Sequence, residues 1–449
     1  MRILLVSPAK NPGRKTPRYI VLPQLALQIL AGLTPREHQV TIVEEEIEDL
    51  DLDTECDLVG ISCMTANVTR GYCLAREFKA RGKTVVMGGV HPTLLPDEAL
   101  RHADSVVIGE AEGVWERLLE DFTAGRLERT YHHPYPSLDR FIQVPRRKVL
   151  NRLFQAIPVM TTRGCPYNCE FCSVHGVFGN RIRHVPVENV ARTIAEAGRG
   201  LFLFLDDNIA GDPAYARRLF EAITPLHIRW AGQASFSIVK KPELLKLAAA
   251  SGCSALFFGV ESVSESQLKT LRKSMGEVAK MERAIRTVED HGIYFHASMI
   301  FGFDTDTLDI FPRTLDFLER NRISSASLNI LTPYPGTAIY RRYREAGRLL
   351  TRDWRHYNHK TVVFTPRNMT PFELQAGRTW VFREFNRLSS ILRRLPAHLN
   401  HPLYHLAMNL GHRVISRRDL GELPEISTRL FPPPGVKRPD PSKEVVTCS

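Results

Sequence analysis

Residues 158–173 read PVMTTRGCPYNCEFCS, and this stretch places Cys165, Cys169 and Cys172 within eight consecutive positions. Three cysteine thiolates on one short loop can each hold one iron of a cubane [4Fe-4S] cluster. Because a cubane contains four irons, three ligands leave one iron open, as an open position does in catalytic zinc sites. The spacing therefore predicts a catalytic iron-sulfur cluster.

A structural zinc site is the alternative interpretation of these cysteines. Structural zinc uses four ligands, usually in two pairs, whereas the nearest candidate for a fourth ligand here is His175, which has no partner pair. The other five of the eight cysteines are scattered through the chain. That distribution argues against a secreted disulfide framework and favours a reducing compartment with one metal site.

The cysteine motif lies within a series of short apolar runs that alternate with helical patterns. Six such βα units predict a partial (β/α)6 barrel of the TIM type over residues 153–345. Its chemistry is expected at the carboxyl ends of the strands. The runs that predict its strands are 158–162, 201–205, 228–231, 255–260, 294–300 and 326–331.

A second α/β unit precedes the barrel. Residues 1–125 predict a doubly wound, Rossmann-like domain with buried parallel strands, whose ligand would bind at the carboxyl ends. The turns expected there are residues 62–65, 88–92 and 109–112. The runs that predict its strands are 3–6, 40–43, 58–61, 85–87 and 106–108.

The remaining segments have weaker patterns. Residues 126–152 are rich in Pro, His and Arg and are interpreted as a linker, residues 346–420 as a small helical C-terminal region, and residues 421–449 as a Pro-rich disordered tail. No apolar run approaches the roughly 20 residues of a membrane-spanning helix. A cytoplasmic location is therefore expected, with possible membrane association.

The motif in its setting resembles the radical S-adenosylmethionine (SAM) superfamily, and the likeness extends over roughly residues 155–340. In that superfamily the open iron binds the amino and carboxylate groups of SAM. One electron from the cluster then releases a 5′-deoxyadenosyl radical, which abstracts hydrogen from unactivated carbon. The resemblance implies a [4Fe-4S] cluster, SAM and a reductant such as flavodoxin or ferredoxin.

The resemblance also implies a SAM site. Phe171 fits the aromatic position that meets the adenine. Asp206 and Asp207 end the second strand, where the family often has a Gly-Gly-Glu that receives the methionine amino group, so this chain departs from the family there. The complete set of SAM-binding residues implied is Phe171, Asp206, Asp207, Ser235, Glu261, Ser262, Ile300 and Gly302.

The first domain resembles the cobalamin (B12)-binding domain that precedes many radical SAM barrels. This chain lacks an Asp-x-His-x-x-Gly sequence, so cobalamin without a histidine ligand from that motif is expected. His91 has a second interpretation, as a turn residue satisfied by backbone, and the whole domain has another, as a relic that binds nothing. The residues implied for cobalamin are Met64, Thr65, Gly88, Gly89, His91, Gly109 and Glu110.

Cobalamin beside a deoxyadenosyl radical favours methyl transfer to an unactivated carbon. The segment before the basic helix, DWRHYNHKTVVFTPRNMTPFELQAG (residues 353–377), resembles the hopanoid and bacteriochlorophyll C-methyltransferase group. This implies a hydrophobic small-molecule substrate, either a hopanoid or isoprenoid lipid or a tetrapyrrole pigment. The arginine-rich helix at 371–395 either rests on an anionic membrane or packs on the barrel with solvated arginines.

Three other functions remain open from the sequence. The same cofactors also serve oxidative cyclisation or rearrangement. The net charge of +11 suggests nucleic acid, but a helical C-terminus and the absence of an additional cysteine cluster make an RNA-modifying enzyme a weaker interpretation. A non-catalytic iron-sulfur or corrinoid sensor is the last alternative.

Overall fold

The computed structural model describes residues 1–10, 20–21, 23–139, 154–271, 275–395, 405–406 and 409–414. The first unit contains a six-stranded, all-parallel sheet. Its strands are β1 (Arg2–Ser7), β3 (Gln39–Glu44), β4 (Leu58–Ser62), β5 (Thr84–Gly88), β6 (Ser105–Gly109) and β7 (Thr130–His133). Their order across the sheet is β3-β1-β4-β5-β6-β7.

Apolar residues fill both faces of this sheet. Leu4, Leu5 and Val59 are fully buried, as expected for parallel strands covered by helices on either side. The sheet confirms the doubly wound prediction. The helices of this unit are α1 (Leu25–Leu33), α2 (Val68–Ala80), α3 (Val90–Leu94), α4 (Pro96–Ala99) and α5 (Trp115–Thr123).

Strand β7 corrects the interpretation of residues 126–152 as a linker. Thr130–His133 pairs in parallel with β6 and forms the edge of the first sheet. Tyr131 is fully buried, and its hydroxyl donates to Asp121 on α5 at 3.0 Å. The polar sequence TYHH gave no strand signal, although the buried Tyr131 holds this segment in the sheet as strand β7. Residues 140–153 lie outside the described residues.

The second unit contains a seven-stranded parallel sheet. Six of its strands follow one another along the chain with helices between them, which confirms the partial barrel. They are β8 (Phe154–Val159), β11 (Leu201–Phe204), β12 (Arg229–Ala234), β13 (Cys253–Glu261), β14 (Tyr294–Phe301) and β15 (Ser325–Ile330).

The seventh strand of this sheet comes from the N-terminal part of the chain. Strand β2 (Ile20–Val21) pairs in parallel with β8, and Ile20 lies opposite Phe154. The order across the sheet is therefore β15-β14-β13-β12-β11-β8-β2.

A short antiparallel pair, β9 (Thr162–Arg163) and β10 (Arg183–His184), brackets the cysteine loop. The barrel helices are α6 (Val174–Phe178), α7 (Val187–Ala197), α8 (Pro213–Ile223), α9 (Pro242–Ala250), α10 (Glu265–Thr270), α11 (Val278–Asp290) and α12 (Ile310–Arg320).

The helices that follow the barrel are α13 (Ala338–Glu345), α14 (Pro371–Phe385) and α15 (Leu388–Arg393). Helix α14 begins with a capping box between Thr370 and Glu373 and packs on α12 and β15. Within the predicted helical region 346–420, residues 405–406 and 409–414 are helical as well, while the predicted tail 421–449 lies outside the described residues. No helix in the described part of the chain is long and apolar enough to cross a membrane.

The arginines of this region are not all solvated. Arg378 donates to the carbonyl of Leu328 on β15 at 2.8 Å. Arg394 is fully buried and donates to the carbonyls of Ile323 at 2.6 Å and Phe385 at 2.7 Å. Burial lowers the pKa of Arg394 to about 10. The prediction of an apolar stripe with solvated arginines is therefore wrong at these two positions, where arginine joins the C-terminal helices to the barrel.

Candidate functional site

The cysteine loop lies at the carboxyl end of the barrel, between β9 and α6. All three of its cysteines are partly accessible. The loop is tightly turned, because the Cys172 N–H donates to the Cys169 carbonyl at 3.0 Å. Gly164 opens it with φ +88°, and a Cβ there would lie 2.3 Å from the carbonyl oxygen of Arg181. Only glycine fits this position without displacing backbone.

The donor chemistry of the loop fits an iron-sulfur cluster. Iron-sulfur clusters are held by cysteine thiolates. Accessible cysteines can ionise to thiolates. Burial, by contrast, raises the pKa of Cys63 and of Cys253, which lie outside the loop. Cys165, Cys169 and Cys172 are therefore the residues that would hold the cluster. In the part of the chain that the structure describes, no three potential ligands already converge on a common metal position.

The two aspartates that end β11 have different environments. Asp206 is fully buried, and its Oδ1 accepts hydrogen bonds from the Thr161 hydroxyl at 2.7 Å, the Thr162 hydroxyl at 2.6 Å and the Thr162 N–H. Burial raises the pKa of Asp206 despite these donors. Its carboxylate fixes the end of β8 just before the cysteine loop and is not solvent-exposed.

Asp207 is half-buried, and the Gly164 N–H immediately before Cys165 is one of the groups that lower its pKa. Burial, together with the charge of Asp206, raises the pKa of Asp207 to about 6. It is therefore ionised at neutral pH and lies beside the cysteine loop. Of the two predicted aspartates, Asp207 is the one placed to meet a cationic amino group.

A polar network joins the ends of β11 and β12. The Asn208 amide donates to the Ser235 hydroxyl at 3.2 Å, and its oxygen accepts the Ser235 N–H at 3.1 Å. The Ser235 hydroxyl also lies 2.7 Å from the hydroxyl of Ser237. Ser235 is thus mainly a structural link, and the half-exposed Ser237 is the more accessible hydroxyl of the pair.

The ends of β13 and β14 place the remaining predicted residues. Glu261 is buried with φ +68°, and Ser262 is buried with its hydroxyl accepting the Ser264 N–H at 3.0 Å. Ile300 is half-exposed between buried neighbours, as a strand residue facing the barrel lumen should be. Gly302 has φ +102°, and its missing Cβ would meet Leu374 of α14 at 2.8 Å.

Phe171 lies between the cysteine loop and β14. Its ring makes an edge contact with Phe303, with the ring centres 6.0 Å apart. The same loop is tied to α13, since the Ile339 N–H donates to the Glu170 carbonyl at 3.1 Å and Glu170 pairs with Arg342 at 2.7 Å. The structure therefore brings Phe171, Asp207 and the three cysteines to one edge of the barrel.

A cavity of about 480 Å³ lies at the carboxyl ends of the first sheet. Ser7, Ser62, Gly88 and Gly109, the last residues of β1, β4, β5 and β6, all line it. Of the residues predicted for cobalamin, those in its wall are Met64, Gly88, Gly89, Gly109 and Glu110. The wall combines the strand-end glycines and serines with apolar side chains and with charged ones such as Glu110 and Arg163, and its position at the strand ends suits a large cofactor.

Two residues predicted for cobalamin are not in this wall. His91 is fully buried, and its ring nitrogens contact the Thr65 hydroxyl at 3.3 Å and the Glu98 carboxylate at 3.1 Å. Glu98 also accepts the Trp354 indole N–H at 2.8 Å. His91 and Thr65 therefore belong to a buried contact with the C-terminal region and lie outside the lining of this cavity, so their assignment to cobalamin stays a prediction.

Glu110 lies where the cavity meets the barrel, and sequence reasoning missed its partners. Its carboxylate is 3% exposed and pairs with Arg163 and with Arg183. Arg163 also pairs with Glu112, so two arginines face two carboxylates. Arg163 itself directly precedes the Gly164-Cys165 turn.

Residues of the barrel form the part of the cavity wall that lies beside Glu110. Arg163 of β9, together with Val177 and Phe178 of α6, completes its wall. Helix α6 directly follows the cysteine loop and packs on α3 of the first unit. The cluster loop and the candidate cobalamin cavity therefore share a boundary.

Residues 159–318 match the radical SAM superfamily, and residues 19–119 match the B12 binding domain. A bacteriochlorophyllide d C-12(1)-methyltransferase from Chlorobaculum tepidum is 31% identical over 87% of this chain and 89% of its own length. The chain belongs to the cobalamin-dependent radical SAM methyltransferases. Its cofactors are a [4Fe-4S] cluster, SAM and cobalamin, as the sequence predicted.

Two further comparisons agree with this family. The bacteriochlorophyllide d C-8(2)-methyltransferase of the same organism is 30% identical over 78% of this chain and 82% of its own length. The solved structure of OxsB, a cobalamin-dependent SAM radical enzyme with aqua-cobalamin bound, superimposes with a TM-score of 0.66 over 96% of this chain and 73% of that one. At 16% identity this second likeness shows the fold.

Proposed function

We propose that this methyltransferase acts on a tetrapyrrole pigment of the bacteriochlorophyllide type and methylates a saturated carbon of one of its substituents. The similarity to the two bacteriochlorophyllide methyltransferases supports this substrate class. It extends over most of the chain rather than over the two cofactor domains alone. A hydrophobic small-molecule substrate is also what the sequence predicted.

The shared boundary of the cavity and the cysteine loop is the observation that carries the mechanism. When bound, the cluster with SAM supplies hydrogen abstraction, and cobalamin supplies the methyl group. The residues of the chain hold these groups at one chamber and exclude water from it. Arg163, which both lines the cavity and precedes the cysteine loop, sets the relation between the two sites.

For the SAM site, Asp207 is assigned to the methionine amino group and Phe171 to the adenine side. Asp207 is preferred to Asp206 because the threonines already occupy the Asp206 carboxylate. Ile300 provides an apolar wall of the lumen. For the cobalamin site, Met64 and the glycines at the ends of β5 and β6 are assigned to contact with the corrinoid.

The test is an anaerobic reaction of the protein reconstituted with iron, sulfide and cobalamin. Bacteriochlorophyllide d, a reducing system and SAM with a deuterated methyl group are supplied. We expect a pigment that is heavier by one labelled methyl group, detected by mass spectrometry. We also expect a paramagnetic cluster signal that shifts when SAM is added.

Matched variants identify the source of the signal. Cys172→Ala should lose the cluster signal and the product, while Cys253→Ala, which alters a buried cysteine far from the loop, should keep the signal. Cleavage of SAM with unlabelled but altered pigment would favour a cyclase or rearrangement. Absence of SAM cleavage in the reconstituted protein would contradict an enzyme of this type.

A further inference from the structure

Residues 351–359 form a bridge between the two units, and its last residue lies at the end of β15. The Trp354 indole contacts Glu98 of the first unit, and the Ile330 N–H donates to the His359 carbonyl at 2.7 Å. The hydroxyl of Tyr357 donates back to the Thr351 carbonyl at 2.8 Å. The bridge thus holds His359 at the carboxyl edge of the barrel, facing the first unit.

His359 adopts a backbone conformation that is unusual for a residue with a side chain. Its φ is +64°, a region that costs free energy for any residue other than glycine. Glycine would relieve this cost. Such an outlier makes His359 a candidate for a functional role, and the contacts of its ring define that role.

The hydrogen bonds of the Tyr334 hydroxyl determine which ring nitrogen of His359 carries the proton. The Tyr334 hydroxyl lies 3.0 Å from the Tyr357 carbonyl and 3.0 Å from His359 Nε2. A carbonyl can only accept, so the single phenolic proton of Tyr334 is donated to Tyr357. His359 Nε2 must then carry a proton and donate it to the phenolic oxygen.

The other ring nitrogen of His359 is consequently a lone-pair acceptor. Burial, with the charge of Lys10, lowers the pKa of His359 to about 4, so the ring is neutral at physiological pH. No described residue makes a hydrogen bond to its Nδ1. The residue is nevertheless exposed, so this nitrogen is accessible to a ligand.

The hydrogen bonds of the bridge place His359 relative to the two units. Its carbonyl accepts the Ile330 N–H at the carboxyl end of β15, and Trp354 of the same bridge contacts Glu98 of the first unit. The charge of Lys10, which lines the candidate cobalamin cavity, contributes to the lowered pKa of His359. His359 therefore lies at the carboxyl end of the barrel, on the segment that joins the barrel to the first unit.

We propose that His359 Nδ1 is the axial ligand of the metal in a metallated tetrapyrrole substrate. This inference rests on the proposed function and names the feature of the pigment that is recognised. Histidines that bind metals usually donate their second ring nitrogen to an oxygen, which fixes the tautomer. Tyr334, anchored on the Tyr357 carbonyl, provides that oxygen.

At this position the protein offers a metal one ring nitrogen, that of His359. Among the described residues, no group of three potential ligands surrounds His359 or any other position. A single nitrogen completes the coordination of a metal only if that metal arrives with its other ligands. A tetrapyrrole provides four such nitrogens and leaves an axial position open.

The test compares binding of two pigments to the fully reconstituted enzyme. The probes are magnesium chlorophyllide a and its metal-free counterpart, pheophorbide a, titrated by fluorescence quenching. The wild-type protein should bind the magnesium pigment at least about tenfold more tightly. It should also shift the visible bands of that pigment in the manner of axial ligation.

His359→Ala should lose both the preference and the band shift, and added free imidazole should restore the shift. Iron and cobalamin contents of the variant report whether it has folded. His356→Ala is the matched control, because His356 lies on the same bridge but pairs with Asp353, and it should retain the preference.

The outcomes separate this inference from the proposed function. If the wild-type protein binds both pigments equally, or if His359→Ala keeps the preference, the axial role of His359 is wrong while the substrate class stands. If neither pigment binds but a hopanoid does, the proposed tetrapyrrole substrate class is wrong. The proposed axial ligation by His359 is then wrong as well.

Discussion

Asp206 and Asp207 illustrate how neighbouring residues of one type acquire different tasks. We predict that Asp206→Asn lowers the free energy of unfolding by about 1–3 kcal/mol, because an amide cannot accept all the donors of Thr161 and Thr162. Asp207→Asn should not lower the free energy of unfolding, because burial already disfavours the Asp207 charge, and it should weaken SAM binding. Urea unfolding and isothermal titration with SAM measure the two effects, and a reversed pattern would contradict the assignment.

Glu110 neutralises two arginines in a nearly water-free position. Glu110→Gln should cost about 3–5 kcal/mol of stability, since it leaves the buried charges of Arg163 and Arg183 without their common partner. The variant should also retain less cobalamin after gel filtration. Urea unfolding provides the stability measurement.

An exposed ion pair supplies the control for this prediction. Arg217 and Glu221 lie 4.0 Å apart on the surface of α8, and Glu221→Gln should change stability by less than about 1 kcal/mol. Equal effects of the two substitutions would show that the Glu110 cluster is not a buried network.

Single residues also show which parts of the candidate site could be predicted from the sequence. The three cysteines were identified from spacing alone, because all the ligands lie on one loop. The role of Glu110 could not be identified in this way, since it depends on Arg163, which is 53 positions away. His359 was missed for the same reason, because its lone pair is defined only by the positions of Tyr334 and Tyr357.

Among the elements, the cysteine loop depends most on a single backbone conformation. Gly164→Ala should lower the iron content of the reconstituted protein severalfold, because its Cβ would collide with the Arg181 carbonyl. Iron and sulfide analysis, with circular dichroism to verify folding, measures this effect.

Gly198→Ala is the control that distinguishes the effect of the steric collision at Gly164 from the effect of backbone strain. Gly198 ends α7 with φ +72°, and a Cβ added at this glycine would have no atom within 4 Å. Gly198→Ala carries a similar strain without the collision and should keep its cluster. Loss of iron in both variants would attribute the effect to strain or to general instability.

The strands of both sheets were predicted well, because buried parallel strands are continuous apolar runs. The exceptions are short. Strand β2 has two residues and β7 has the sequence TYHH, so neither carries a periodic signal. Strands β2 and β7 form because they pair with the edge of an existing sheet, and their local sequences do not favour strands by themselves.

For the whole molecule, buried histidines make stability depend on pH. His296 lies between the hydroxyls of Ser325 at 2.6 Å and Ser327 at 2.8 Å, and burial lowers its pKa to about 3. Below about pH 6.5 the unfolded chain binds a proton that the folded chain does not. The stability contributed by the neutral ring is therefore lost as the pH falls.

We predict that the stability difference between wild type and His296→Gln shrinks by about 1.4 kcal/mol between pH 7.5 and 5.5. Urea unfolding at both pH values measures it. His132→Gln, at an exposed position on β7, is the control and should follow the wild type. The comparison between variants matters because Asp306, whose pKa burial raises to about 7, gives a slope of the opposite sign. A pH-independent difference would contradict a neutral buried His296.

The pairing of β2 with β8 has a consequence for biosynthesis. Ile20 leaves the ribosome long before Phe154, its partner across the sheet. The two-residue strand β2 therefore cannot pair until β8, which begins at Phe154, has been synthesised. The order of synthesis consequently makes docking of the two domains a late step that coincides with completion of the chamber.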